Sequence, residues 1–395
     1  MRGGGYSPHM GDIIINGSCD ARFDAVRDAF AANFADGLEL GAGLSISVEG
    51  RNVVDLWGGW LDEAATRPWE RDSLACIFSC TKGVVAIVAL VLADRGELDL
   101  DAPVARYWPE FAQNGKSTIP VRWLLTHEAG VSAIEQKMPF GSLSDWTAMT
   151  DALAAQKPMW EPGTDHGYHG VTFGHLVGEV IRRVTGVSCG TAMRELLCEP
   201  LGLDIWMPLA EADEARTADM VLGQPASPVT FFDHWGPDDL GPKSFRNPPD
   251  CSYVPYTNTR PFRAAEIPAA NGHGTARALD RLYATLACGG TLDGVKLLSP
   301  EMVELGGREW VRGIDRVMAL PTAFGLGFER TIPEWPFGPN PNTYGHNGSG
   351  GSLGLVDPDT GVSLGYVMNR MIWGPTRDDP RWQPIFDALY ASLGA

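Results

Sequence analysis

Apolar residues recur at helical spacing at Phe23, Val26, Phe30 and Phe34, and Gly37 marks a stop. Leu44, Ile46 and Val48 alternate instead; Glu49-Gly50-Arg51-Asn52 then turns the chain into Val53-Val54-Asp55-Leu56-Trp57, which predicts a β-hairpin. Every residue from Val84 to Ala93 is apolar. This run follows Ser79 and ends before Gly96, as expected of a helix buried on all sides. Further on, Ser144 is positioned to cap a helix through Gln156. Phe173, Val177, Val180, Ile181 and Val184 form another helical stripe closed by Gly186. Between Gln224 and Gly274 periodicity lapses: nine prolines and seven aromatics, among them Phe231, Phe232, Trp235, Tyr253 and Tyr256, predict an irregular segment, either a pocket wall or a surface insertion. Strand patterns return at Ala323–Arg330, and at Leu353–Val356 and Val362–Met368 around the turn Asp357-Pro358-Asp359-Thr360-Gly361; residues 385–393 close the chain as a helix.

Strands at both ends with helices between them predict an α/β (α+β) fold: an antiparallel sheet flanked by helices and built from both chain termini. Residues 1–110 and 270–395 would form the sheet domain, and 111–269 an inserted helical region whose irregular part, 224–269, walls a pocket. There is no internal repeat.

Charge narrows the possible partners. Of 395 residues, 31 are Lys or Arg and 49 Asp or Glu, for a net charge of −18, and there are only six lysines. Nucleic acid and anionic membrane surfaces are therefore excluded as expected partners. The ten-residue apolar run falls short of the roughly 20 residues needed to span a bilayer. Residues 1–20 lack the apolar segment of a secretory signal. The seven cysteines include no C-x-x-C pair, which fits free thiols and a cytoplasmic location. No glycine-rich phosphate or dinucleotide motif appears, and the spacing of His166, His169 and His175 is not that of a zinc site. No cofactor and no metal are expected.

One short motif carries chemistry: Ser79-Cys80-Thr81-Lys82, an S-x-x-K at the start of the apolar helix. At this spacing the hydroxyl and the amine lie about one turn apart on one face. A serine attacks a carbonyl only when a neighbouring base takes its proton, and a lysine serves as that base when burial lowers its pKa. The helix N-terminus offers N–H groups to a developing oxyanion. A capping serine beside a snorkelling lysine remains the structural alternative. Two G-x-S-x-G patterns, 186–190 and 350–354, compete as nucleophile elbows, but neither serine has the required strand before it and helix after it.

Together with Leu124-Leu125-Thr126-His127-Glu128-Ala129-Gly130, Pro162-Gly163 ahead of Tyr168, and Tyr344-Gly345-His346-Asn347-Gly348-Ser349, the motif resembles the serine β-lactamase-fold group. Within that group it is most similar to class C β-lactamases, D-alanyl-D-alanine carboxypeptidases and family VIII carboxylesterases, over about residues 20–390. The resemblance implies a β-lactamase/transpeptidase-like fold with Ser79 as acylated nucleophile and Lys82 and Tyr168 as its general-base pair, the phenolate favoured by a nearby ammonium. It also implies an oxyanion hole from the Ser79 and Ser349 N–H groups, and substrate contacts from His346, Gly348 and His169. Tyr256-Thr257-Asn258 matches the family's Y-x-N literally, but Tyr168 has the right neighbours. Two departures bear on substrate. Gly170 stands where the family has the asparagine of Y-x-N, and His346 where many members have a lysine that attracts a carboxylate. Both weaken recognition of an anionic, amide-bearing substrate. The expectation is a carboxylesterase for small, short-chain esters, with β-lactamase or peptidase activity, or a non-hydrolytic penicillin-binding homologue, as alternatives. Acyl length and oligomeric state are not legible.

Overall fold

The alternating segments at the two ends of the chain meet in one nine-stranded sheet. The computed structural model describes residues 13–223, 233, 235, 236, 238–252, 254–373 and 379–394. Its strands are β1 (Asn16–Cys19), β2 (Gly41–Val48), β3 (Arg51–Gly59), β4 (Val311–Ile314), β5 (Pro321–Phe324), β6 (Glu329–Arg330), β7 (Tyr344–Asn347), β8 (Leu353–Asp357) and β9 (Val362–Met368). They run antiparallel in the order β1-β3-β2-β9-β8-β7-β6-β5-β4. The junction of the two ends is the β2–β9 pair, where Leu44 faces Tyr366 and Ile46 faces Leu364.

The principal helices are α1 (Asp24–Ala35), α2 (Cys80–Asp94), α3 (Trp146–Ala155), α4 (Thr172–Thr185), α5 (Ala276–Ala287) and α6 (Trp382–Leu393). Side chains alternate across a strand, so Ser363 and Tyr366 of β9 point to opposite faces. Ser363 donates to Asp280 of α5 at 2.5 Å, whereas the Tyr366 ring meets Phe30 of α1, their centroids 6.1 Å apart. Helices therefore cover both faces of the sheet. As its all-apolar sequence requires, α2 is buried from Cys80 to Leu92; it packs against α4, β7 and β8.

Local readings changed in three places. Asp145, not Ser144, caps α3, accepting from the Ala148 N–H at 3.0 Å, and the helix ends at Ala155. Ser144 instead shares a 2.9 Å hydrogen bond with the Tyr256 hydroxyl. The strand expected over 323–330 is two strands, β5 and β6, because the chain reverses through residues 325–328, with the Gly325 N–H bonded to the Phe328 carbonyl at 2.8 Å. The segment expected to be irregular contains short helical turns at Leu240–Phe245, Pro249–Ser252, Val254–Thr257 and Arg260–Arg263, each too short to print a periodicity. Phe231, Phe232 and Tyr253 lie outside the described residues. Among the described residues no helix is long and apolar enough to cross a membrane, and all seven cysteines are free thiols.

Candidate active site

Ser79 sits at the N-terminus of α2, directly after Phe78, whose backbone is held at φ 42°. A bulky residue in the left-handed region costs roughly 1–3 kcal/mol and persists only where its surroundings enforce it. Here they do. The Ser352 hydroxyl donates to the Ile77 carbonyl at 2.9 Å, and the Ile77 N–H donates to Gly272 at 2.9 Å. Gly348 lies so close that a Cβ there would stand 2.4 Å from the Ile77 carbonyl oxygen, so only glycine brings the end of β7 against the Ser79 turn.

Lys82, one turn on, is fully buried. Its Nζ lies 3.0 Å from the Ser79 Oγ, 2.8 Å from the Gly170 carbonyl and 2.8 Å from the Ala269 carbonyl. Burial holds its pKa well below the ordinary lysine value, and among the described residues no carboxylate pairs with it to reverse the effect. A neutral amine has two N–H donors and one lone pair. Two carbonyls take the donors, which leaves the lone pair for the Ser79 hydroxyl.

Tyr168 lines the same cavity, with the Lys82 Nζ 4.9 Å from its ring centroid. Its backbone N–H donates to both carboxylate oxygens of the buried Asp315, at 2.9 and 3.0 Å. Its ring stacks on Phe324 at 7° and meets His127 edge-on, with centroids 6.1 and 5.1 Å away. The His127 Nδ1 accepts the His169 N–H at 3.1 Å, which fixes the residue after the tyrosine. Ser79 and Tyr168 thus line one cavity of about 380 Å³, in the size range of small-molecule sites, with Lys82 buried behind them against both.

The other expected site residues are placed less uniformly. Gly348 and Ser349 line the cavity, and the Ser349 hydroxyl accepts from the Trp373 indole at 3.0 Å. His346 does not line it. Its ring is buried beneath β7, Nδ1 donates to the Asn347 carbonyl at 2.7 Å, and burial pushes its pKa down to about 3. The wall that His346 was expected to supply is made by Asn347 to Gly351. His169 is likewise corrected from a substrate contact to an interior support. Its Nε2 accepts the Val131 N–H at 3.0 Å and its Nδ1 meets the Gly167 carbonyl at 2.7 Å, which leaves neither nitrogen for a ligand. Tyr256, set aside in the sequence in favour of Tyr168, is not among the residues that line the cavity, and Asn258 is bonded to the Met220 backbone on both sides of its amide. The serines of the two G-x-S-x-G patterns do structural work: Ser352 anchors Ile77, and Ser188 caps a short helix at the Thr191 N–H.

Three supports were not foreseen as such: His127 lies within the Leu124–Gly130 motif but had no role assigned, and Asp315 and Arg381 carried no sequence signal. Asp315 and His127 hold Tyr168, and the fully buried Arg381 holds the turn after Ser349 by donating to the Gly350 carbonyl. Arg381 is itself fixed by Glu39 at 2.9 Å and by Asp379. Buried arginine with partners far away in sequence cannot be read from a motif. Among the described residues no group of three or more His, Cys, Asp or Glu side chains could hold a metal.

Comparison with known proteins agrees with this geometry. The profile of the family described as Beta-lactamase matches residues 28–386. The chain is 39% identical over 369 residues to "Esterase/beta-lactamase LipL" of Mycobacterium tuberculosis, covering 91% of this chain and 83% of that one. A family VIII carboxylesterase crystal structure superposes with a TM-score of 0.88 at 39% identity, covering 96% of this chain and 100% of that one. A penicillin-binding protein homologue from Caulobacter crescentus superposes equally well, TM-score 0.88, at 41% identity over 96% and 100% of the two chains. The chain belongs to the beta-lactamase family.

Proposed function

We propose that this serine hydrolase cleaves short-chain carboxylic esters through an acyl-enzyme on Ser79. The observation that carries the reading is the Lys82 amine, buried, hydrogen-bonded to two carbonyls and 3.0 Å from the Ser79 hydroxyl. In the first step Lys82 takes the Ser79 proton as Oγ attacks the ester carbonyl, and the N–H groups of Ser79 and Ser349 receive the oxyanion. The tetrahedral adduct collapses, the C–O bond to the alcohol breaks, and the proton leaves with the alcohol through Tyr168. Water then attacks the acyl carbonyl, giving its proton to the same pair, and Ser79 is released with the carboxylic acid.

The cavity wall favours an ester over a β-lactam. Phe78, Val171, Phe245, Phe262 and Ile267 supply an apolar lining. His346, neutral and buried, offers no cation to a substrate carboxylate. The names of LipL and the carboxylesterase point the same way, and the first also leaves room for slight β-lactam turnover. A p-nitrophenyl ester panel from acetate to octanoate, run beside nitrocefin, tests the reading. Efficient butyrate hydrolysis that Ser79→Ala abolishes is expected, whereas nitrocefin turnover exceeding that of every ester would overturn the substrate assignment.

A further inference from the structure

Three buried carboxylates line the cavity, Asp250, Glu329 and Asp379, and the acyl-transfer steps use none of them. Asp379 is paired with Arg381 and Glu329 lies 3.9 Å from the His346 Nδ1, whereas Asp250 has no cationic partner among the described residues. Asp250, in the turn Pro249–Ser252, is 3% exposed and lines the same cavity as Ser79. Its Oδ2 accepts the Leu143 N–H at 3.2 Å, while Oδ1 is buried with no hydrogen-bond partner. Its neighbours in the wall, Leu143, Cys251, Val254 and Thr257, carry no positive charge, and Arg246, which also lines the cavity, is exposed and forms no ion pair with it. A buried carboxylate with one oxygen unpaired, on a residue of a largely apolar wall, is costly, and the cost is relieved when a ligand supplies a donor. The net charge of −18 adds a field that concentrates cations rather than anions at the protein.

We propose that the cavity takes esters bearing a protonated amine, and that Asp250 Oδ1 receives the N–H of that ammonium group; this rests on the esterase reading above. Asp250 is then a specificity residue, remote from the scissile bond, that selects among esters the catalytic groups could all cleave.

The test uses two isosteric pairs with the full chain and with Asp250→Asn. One pair is 2-(dimethylamino)ethyl butanoate and 3-methylbutyl butanoate, with the amine on the alcohol side. The other is p-nitrophenyl 6-aminohexanoate and p-nitrophenyl heptanoate, with the amine on the acyl side. Wild type should favour the amine-bearing member of at least one pair in kcat/KM, and Asp250→Asn should lower that amine-to-neutral ratio by about tenfold or more. Ratios that Asp250→Asn leaves within about twofold in both pairs overturn the proposal while sparing the esterase reading. If no ester is turned over, that reading fails and calorimetry still decides this one. 6-Aminohexanamide must bind wild type more tightly than heptanamide, and Asp250→Asn must remove the difference; equal binding of the two amides overturns it.

Discussion

Gly170 and Phe245 compete for one volume: a Cβ at position 170 would lie 2.5 Å from the Phe245 Cζ and 2.6 Å from its Cε1. The sequence shows only that the asparagine of the family's Y-x-N is missing. The structure shows what took its place, an aromatic ring from the turn Leu240–Phe245 that also stacks on Trp235, centroids 5.6 Å apart. An amide-binding side chain and an apolar wall cannot both occupy that space.

Gly170→Ala should therefore destabilise the protein by about 1–3 kcal/mol, the usual cost of overpacking. Adding Phe245→Ala should relieve the clash, so that the double variant is more stable than the two single losses summed. Denaturant midpoints of the four proteins check this; strict additivity would mean that the two residues do not share the space.

Lys82 acts in the neutral form in this account. Burial depresses its pKa, which favours the free amine, and the amine becomes protonated as the pH falls through its folded pKa. The kcat/KM for p-nitrophenyl butyrate should fall on the acid side accordingly. Lys82→Arg, which keeps a charge that cannot be given up, should lose about a thousandfold or more. An arginine variant with near-wild-type rates would remove lysine as the base.

Two tyrosines separate catalysis from scaffold. Tyr168→Phe should lower kcat by about 10²–10⁴-fold with little effect on stability, as expected on removing a proton carrier. Tyr256→Phe deletes only the hydroxyl bonded to Ser144 and should cost about 1 kcal/mol of stability while leaving turnover intact. Parallel kinetics and thermal melts distinguish them; equal small losses of rate would contradict the choice of Tyr168.

The buried histidines predict acid sensitivity. Burial pushes His346 and His273 down to about 3 and His169 and His175 to about 4, against an unfolded value of about 6.5. Between these limits the unfolded chain binds protons that the folded chain refuses, so stability falls as the pH drops below about 6.5. Glu39, raised to about 7, and Asp280, raised to about 6, act oppositely, because there the folded chain holds the extra proton; the histidines outnumber them. Denaturation midpoints should decline between pH 6.5 and 4.5. A flat or rising series would contradict the neutral, buried state assigned to these rings.

What the sequence disclosed follows a physical pattern. The all-apolar run after Ser79 could only be a buried helix, and the turn Asp357–Gly361 could only join neighbouring strands, so the central helix and the β8–β9 hairpin were legible. The i, i+3 spacing of Ser79 and Lys82 made their contact a local matter. Long-range events were not legible. Asp315 reaches Tyr168 across 147 positions, and Arg381 reaches Glu39 across 342. His346 and His169 were misplaced because a motif gives a residue's position along the backbone but not which way its ring turns. Gly325 to Phe328 looked like strand because Leu326 and Phe328 are core residues, although they sit in a turn.

The central claim is that Ser79 becomes covalently acylated. Incubating the full chain with a fluorophosphonate probe and mapping the adduct by peptide mass spectrometry tests it directly. The account predicts one stoichiometric adduct on the peptide bearing Ser79, absent in Ser79→Ala and slowed in Lys82→Arg. An unlabelled Ser79, or labelling of Ser188 or Ser352 in its place, would contradict it.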